Sequence, residues 1–147
     1  METILDEIET PSNTDIKIYK DKAIYLAGYL GGPLAAGYII AMNFKAFGET
    51  NKYKGALLIT VLMTVAIFTL VFSIPDDVHI SNHIIPITYT IIAFFIIRWT
   101  QGKQIDAHVR SGGAVYSWGR VLLVSLIGIV ITVLALAPYI YYITVNG

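Results

Sequence analysis

Two histidines and two aspartates fall within the eight residues from Asp76 to His83. His79 and His83 are four residues apart, so a helix would place both imidazoles on one face, where Asp76 could complete a metal site. The stretch from Ile80 to Asn82 is a weak beginning for a helix, however, and a solvated polar turn explains the same residues. The sequence therefore offers Asp76, His79 and His83 as candidate metal ligands, with a solvated turn as the alternative.

A second polar stretch, from Gln101 to Arg110, also carries side chains suited to binding. If the stretch is helical, Gln101, Gln104 and His108 share one side. Such a face at the membrane surface could bind a lipid headgroup or a loop of a partner, and an enzyme acting on headgroups could use His108 and Gln104. The alternative is an interfacial helix that merely carries polar residues.

Gly31, Gly32 and Pro33 form the most unusual local sequence. Proline has no N–H, so the carbonyl of Tyr29 loses its helical partner, and two adjacent glycines lower the resistance of the backbone to bending. Such a break could present carbonyls to an ion or a substrate, as the discontinuous helices of transporters do. The alternative is a kink that fits a neighbouring helix.

Beyond these candidates, the sequence contains no recognisable catalytic arrangement. There is no nucleophile with a nearby base, no placeable pair of carboxylates and no glycine-rich phosphate loop. The chain has no cysteine, which excludes disulfides and thiolate sites. We therefore predict no catalytic residue and no cofactor, and we favour a protein that is not an enzyme.

The composition indicates the environment in which these residues must be positioned. Of the 147 residues, 56% are hydrophobic and 14% are charged, and the mean hydropathy is +0.67. A soluble domain of this size has too little interior to bury so much apolar surface, whereas a bilayer can solvate it. The formal net charge is zero, so no overall attraction to nucleic acid is expected.

Four apolar runs are long enough to cross a bilayer as helices, and they lack the alternation of β-barrel strands. We predict an all-α membrane protein, a bundle of about four transmembrane helices with a kinked first helix. A polar, acidic tail at 1–22 precedes a transmembrane domain at 23–147, with spans at about 23–42, 55–74, 80–97 and 121–145. No span contains a charged residue, which counts against a proton-coupled pump.

Small residues recur at helical spacing on the first and fourth predicted helices. In a bilayer, such residues let helix backbones approach closely. The predicted packing residues are Gly28, Gly32 and Ala36 in the first helix and Ser125, Gly128 and Thr132 in the fourth.

The distribution of basic residues predicts an orientation, because loops rich in lysine and arginine remain in the cytoplasm. Residues 44–54 hold three and residues 98–120 hold four of the ten basic residues, and the tail holds the remaining three. We predict that the two basic loops are cytoplasmic and that both termini lie outside, although the three tail lysines favour the opposite side for the tail.

Two parts of the chain resemble a group of small bacterial membrane proteins of unknown function. The first part is Leu30–Tyr38 (LGGPLAAGY) followed by Asn43–Gly48 (NFKAFG). The second comprises Gln101-Gly102, Ile105, His108, Gly112-Gly113 and Trp118. The resemblance implies a bacterial inner-membrane location and a four-helix arrangement, and it implies no activity, ligand or catalytic residue.

We therefore interpret the chain as an integral membrane protein that acts by association, as an accessory or interaction subunit or by self-assembly. Its expected partners are the lipid bilayer and either a second copy or another membrane protein, and not nucleic acid. One alternative is a small homo-oligomeric channel or transporter. The other is a lipid-headgroup-binding protein or enzyme that uses residues 98–120.

Overall fold

A computed structural model of the chain describes residues 16–75 and 77–146. Its helices are α1 at Ala23–Ala46, α2 at Thr50–Phe72, α3 at Ile84–Arg110 and α4 at Trp118–Asn146. All four are long and apolar enough to cross a membrane. This confirms the predicted all-α membrane protein with about four such helices.

The third helix differs from the predicted span at both ends. It begins at Ile84 rather than at residue 80, with Pro86 in its first turn, where the missing proline N–H would have had no helical partner. It continues past Arg98 to Arg110. The polar stretch that begins at Gln101 is therefore the end of α3 and not a separate helix.

The first helix is broken at Gly32, which confirms the predicted kink. Gly32 has φ 76° and ψ −175°, a backbone conformation that residues with a side chain rarely adopt. The break divides α1 into α1a (23–31) and α1b (33–46).

The break reverses the direction of the chain. A straight helix of 24 residues would separate its ends by ~36 Å. Yet Tyr19, just before α1a, is hydrogen-bonded to Asn43 near the end of α1b. Contacts with α3 agree with this reversal. Arg98 binds Asp21, which lies just before α1a. Gln101, about one turn farther along α3, binds the carbonyl of Ile40 in α1b. The first helix is therefore a helical hairpin with Gly32 at its tip.

The hairpin is the centre of the fold. α1 packs along each of the other three helices, which have no comparable packing with one another in the part of the chain that the structure describes. In the most apolar 18-residue stretch of each helix, half of the α1 residues are buried, against 6% of the α2 residues. The largest core residues include Ile18, Tyr19, Ile24, Ile39 and Ile97. Most side chains of α2 therefore face outward.

The hairpin also gives the bundle two unlike ends. The basic end, which comprises residues 16–22, 44–54 and 98–120, carries all ten lysines and arginines. The opposite end comprises the α2–α3 connection and the last turns of α4, where the rings of Phe72 and Tyr139 lie 4.5 Å apart. Residues 16–22 and the end of α4 lie at opposite ends of the bundle, because α1 doubles back.

Candidate functional site

A buried asparagine holds the two ends of the hairpin together. Asn43 is fully buried on α1b, and its side-chain amide pairs with the backbone of Tyr19. Asn43 Oδ1 accepts a hydrogen bond from the Tyr19 N–H at 2.7 Å, and Asn43 Nδ2 donates to the Tyr19 carbonyl at 2.8 Å. Buried backbone groups need such partners. The pair ties the chain ahead of α1a to the end of α1b.

The segment before α1 is further fixed to the loop between α3 and α4. The Ile18 N–H donates to the Ala114 carbonyl at 3.3 Å, and the Tyr116 N–H donates to the Ile18 carbonyl at 2.9 Å. The rings of Tyr19 and Tyr116 stack with centroids 4.3 Å apart. Residues 16–22 of the predicted polar tail are thus a packed part of the fold, and residues 1–15 lie outside the described residues.

Three predicted binding residues share one face of α3, and this face is turned toward the rest of the protein. Gln101 Nε2 donates to the Ile40 carbonyl at 2.8 Å. Gln104 Nε2 donates to Glu49 Oε1 at 3.0 Å, and His108 Nε2 bonds the Ala114 carbonyl at 2.9 Å. Gln101 and His108 are buried. These side chains brace α1b and two loops. Gln104 is exposed, and the buried Gln101 Oε1 has no hydrogen-bond partner among the described residues.

Glu49, in the α1–α2 connection, binds side chains of α2 and α3. Lys52 forms an ion pair with this carboxylate, and Gln104 donates to it from α3. The hydrogen bond from Lys52, followed by the one from Gln104, lowers the pKa of Glu49 from its ordinary value of 4.5. The charged form of Glu49 is therefore favoured in the folded protein.

This shift predicts a pH dependence of stability. A depressed pKa contributes stability above the unfolded value of 4.5, and the contribution disappears as the pH falls through the lower folded value. Since the pair is largely exposed, we expect less than about 1 kcal/mol. In thermal unfolding in detergent, we expect the stability to fall between pH 7 and pH 3, and to fall less in Glu49→Gln than in the native protein. Identical pH profiles would contradict the assignment.

At the tip, the hairpin contacts α4 through backbone. A Cβ added at Gly31 would lie 2.6 Å from the Cα of Ser125, and a Cβ added at Gly128 would lie 2.6 Å from the Gly31 carbonyl oxygen. Gly32 itself has no atom within 4 Å of the corresponding position. Pro33, the first residue of α1b, lines the groove described below. The Gly31-Gly32-Pro33 sequence therefore makes a sharp turn held against one neighbouring helix.

The remaining predicted packing residues lie near the same contacts. Gly28 faces Thr90 of α3, and a Cβ at Gly28 would lie 2.6 Å from the Thr90 hydroxyl oxygen. Ala36 is buried in the core. Thr132 lies one helical turn beyond Gly128, and its buried hydroxyl has no partner among the described residues.

The candidate metal ligands His79 and His83 lie in the connection between α2 and α3. His83 Nδ1 lies 2.9 Å from the hydroxyl of Tyr29, and His79 Nδ1 lies 3.3 Å from the carbonyl of Asp77. Both histidines precede α3 and do not share a helix face. Asp76 lies outside the described residues. Within residues 16–75 and 77–146, no three acidic or histidine side chains are close enough to hold a metal ion.

A long groove lies between α2 and α3. Its floor is one face of α1b, formed by Pro33, Ala36, Gly37, Ile40 and Phe44. Its walls run along α2 from Lys52 and along α3 to Thr100, and its volume is about 770 Å³. The groove exists because α2 and α3 both pack on the hairpin and not on each other.

The hydroxyl groups that line this groove all have backbone partners. Thr60, Thr88 and Thr100 each donate to the carbonyl four residues earlier, at 2.7 Å. The Tyr89 hydroxyl donates to the Gly28 carbonyl at 3.0 Å. Apart from Lys52 at one end, the groove therefore presents hydrocarbon along its length.

No protein-family model, no curated protein and no solved structure matches this chain. The class that the fold defines is an integral membrane protein of four apolar helices, organised around a broken first helix.

Proposed function

We propose that this protein acts by association within the bilayer of a bacterial inner membrane, through the groove between α2 and α3. The observation that carries the proposal is the groove itself, an apolar recess of about 770 Å³ left between two helices that do not pack together. Large apolar pockets with few polar groups are the usual binding sites of proteins. The accessory-subunit hypothesis and the lipid-binding hypothesis both fit such a recess.

A photo-crosslinking comparison tests this function. A photoreactive phenylalanine analogue at Met63 would face the groove, and the same analogue at Leu62 would lie on α2 outside the groove lining. We expect a discrete adduct from position 63 after irradiation of native membranes, and only heterogeneous products from position 62. The same products from both positions would reject the groove as a specific site.

We also propose a membrane topology in which the basic end is cytoplasmic. All ten basic residues then lie on the cytoplasmic side, in keeping with the distribution of lysine and arginine in membrane proteins. α1 would enter and leave on that side as a re-entrant hairpin, and α2, α3 and α4 would cross. Irregular backbone at membrane depth must be buried in protein, and Gly31 at the tip is packed against α4.

Single cysteines can distinguish this topology from one with both termini outside. The chain has no native cysteine, so one introduced thiol is the only one present. In intact cells we expect an impermeant thiol reagent to label Asp77→Cys but neither Lys17→Cys nor Lys103→Cys, and permeabilisation to expose both of the latter. The comparison of positions 17 and 103 is decisive, since labelling at 17 but not at 103 in intact cells would place the tail outside and refute the re-entrant hairpin.

A small homo-oligomeric channel or transporter is the second candidate, favoured by the hairpin tip. Re-entrant and broken helices are common where ions or substrates are bound inside membranes. Flux of small ions into liposomes that contain the purified protein would support this function. Absence of flux at a high protein-to-lipid ratio would reject it without affecting the association proposal.

A further inference from the structure

The groove is long enough to hold an acyl chain. Along α2 it runs from Lys52 to Val71, which is ~29 Å at the rise of an α-helix. This length matches the ~30 Å hydrocarbon core of a bilayer, of which the acyl chains of one leaflet span about half.

The lining restricts the chemistry of an occupant. Each hydroxyl in the groove already donates to a backbone carbonyl, so none is free to donate a hydrogen bond to a polar group halfway along the groove. Burying an unpartnered polar group is costly. An occupant that is apolar over its whole length avoids this cost. The open side between α2 and α3 gives such a chain direct access from the bilayer.

The two ends of the groove differ in charge. Lys52 lies at the basic end, and the opposite end is lined by isoleucines such as Ile74, Ile80 and Ile84. The Lys52 ammonium is 5.7 Å from the centroid of the Phe44 ring, which is part of the groove floor. Lys45 and Lys54 belong to the same end. Glu49 forms an ion pair with Lys52, so residues 44–54 carry three lysines and one carboxylate. An amphiphile with a negative headgroup at this end would match the remaining positive charge.

From these observations we infer that the groove binds one acyl chain of an anionic phospholipid, with the phosphate beside Lys52. This inference rests on the proposed function, because it names the occupant of the same groove. A zwitterionic lipid would lack the net charge that the basic end attracts.

Native mass spectrometry of the full chain in mild detergent tests the inference. The probes are dioleoyl phosphatidylglycerol and dioleoyl phosphatidylcholine, which have the same acyl chains and different headgroup charges. Two pairs of variants serve as matched comparisons. Lys52→Gln is compared with Lys54→Gln, which makes the same charge change two residues away and outside the groove lining. Gly55→Phe is compared with Leu62→Phe, because a Cβ at Gly55 meets open space and Gly55 lines the groove, whereas Leu62 does not.

We expect phosphatidylglycerol to bind more tightly than phosphatidylcholine. Lys52→Gln should weaken phosphatidylglycerol binding about fivefold relative to Lys54→Gln, the effect of one lysine at an anionic surface. Gly55→Phe should weaken it about tenfold, as if two methylene groups had left the groove. Ile59→Trp, about one turn beyond Gly55 on the same wall, provides a second groove-filling variant if Gly55→Phe fails to fold.

The outcomes separate the inference from the function on which it rests. Equal binding of the two lipids, with equal effects of Lys52→Gln and Lys54→Gln, would overturn the anionic-lipid assignment. A stoichiometric protein retained by the native chain and lost in Gly55→Phe would also overturn it, while the association proposal would stand. Unchanged binding of lipid and protein in both groove-filling variants would overturn both.

Discussion

Replacement of Asn43 by alanine should destabilise this protein more than any other single change to a polar side chain that we consider. The substitution removes both hydrogen bonds to Tyr19 and leaves a buried N–H and a buried carbonyl without partners. Each such group costs ~1–3 kcal/mol, so we expect a total loss of about 2–6 kcal/mol. The lost bonds join the two ends of the hairpin, so the segment from Lys17 to Lys22 should also be released.

Two measurements check this expectation. The first is the unfolding free energy in mixed micelles, and the second is the rate of tryptic cleavage at Lys17, Lys20 and Lys22. Asn51→Ala is the control, because Asn51 is exposed at the beginning of α2. We expect rapid cleavage and a large loss of stability in Asn43→Ala alone. A stability within about 0.5 kcal/mol of the native protein would show that the hydrogen bonds between Asn43 and Tyr19 are dispensable.

The second large effect should come from adding one methyl group at Gly128. In Gly128→Ala, the new Cβ would lie 2.6 Å from the Gly31 carbonyl oxygen and 3.0 Å from the Cβ of Ala35. Because the nearer atom is backbone, the hairpin tip must move away from α4. Overpacking of this kind costs ~1–3 kcal/mol.

Gly119→Ala in the same helix is the matched control. A Cβ there would meet only the Ser117 hydroxyl, at 3.8 Å, and alanine favours the helix by up to ~1 kcal/mol over glycine. The two substitutions are chemically identical, and we expect opposite signs in the unfolding free energy. If Gly128→Ala is as stable as Gly119→Ala, the close contact between the hairpin tip and α4 is not part of the native state.

Local sequence predicts the helices and the position of the break. The apolar runs have the length of a bilayer crossing, and Gly31-Gly32-Pro33 interrupts the first of them. The same three residues do not specify the angle of the break. That angle depends on partners distant in sequence, among them Tyr19 for Asn43 and Ser125 for Gly31. A modest kink and a full reversal therefore cannot be distinguished from this motif alone.

The candidate sites are limited by the same difficulty. Helical spacing places Gln101, Gln104 and His108 on one face, and the structure has them there. Spacing does not tell whether that face meets water or protein, which depends on where α1b returns. Asn43 is missed because a lone amide near the end of an apolar run has no periodic partner. The groove is missed because it depends on the distance between α2 and α3.

The central hairpin also has a consequence for biogenesis. Its two segments are synthesised before α4, yet Gly31 packs against Ser125, which follows 94 positions later (125 minus 31). At 5–20 residues per second, the ribosome needs about 5–20 s to supply that partner. Throughout this interval α1 exists without α4. The hairpin tip thus reaches its native contacts only after α4 has been synthesised, and until then lipid or the membrane insertion machinery must cover the surface around Gly31.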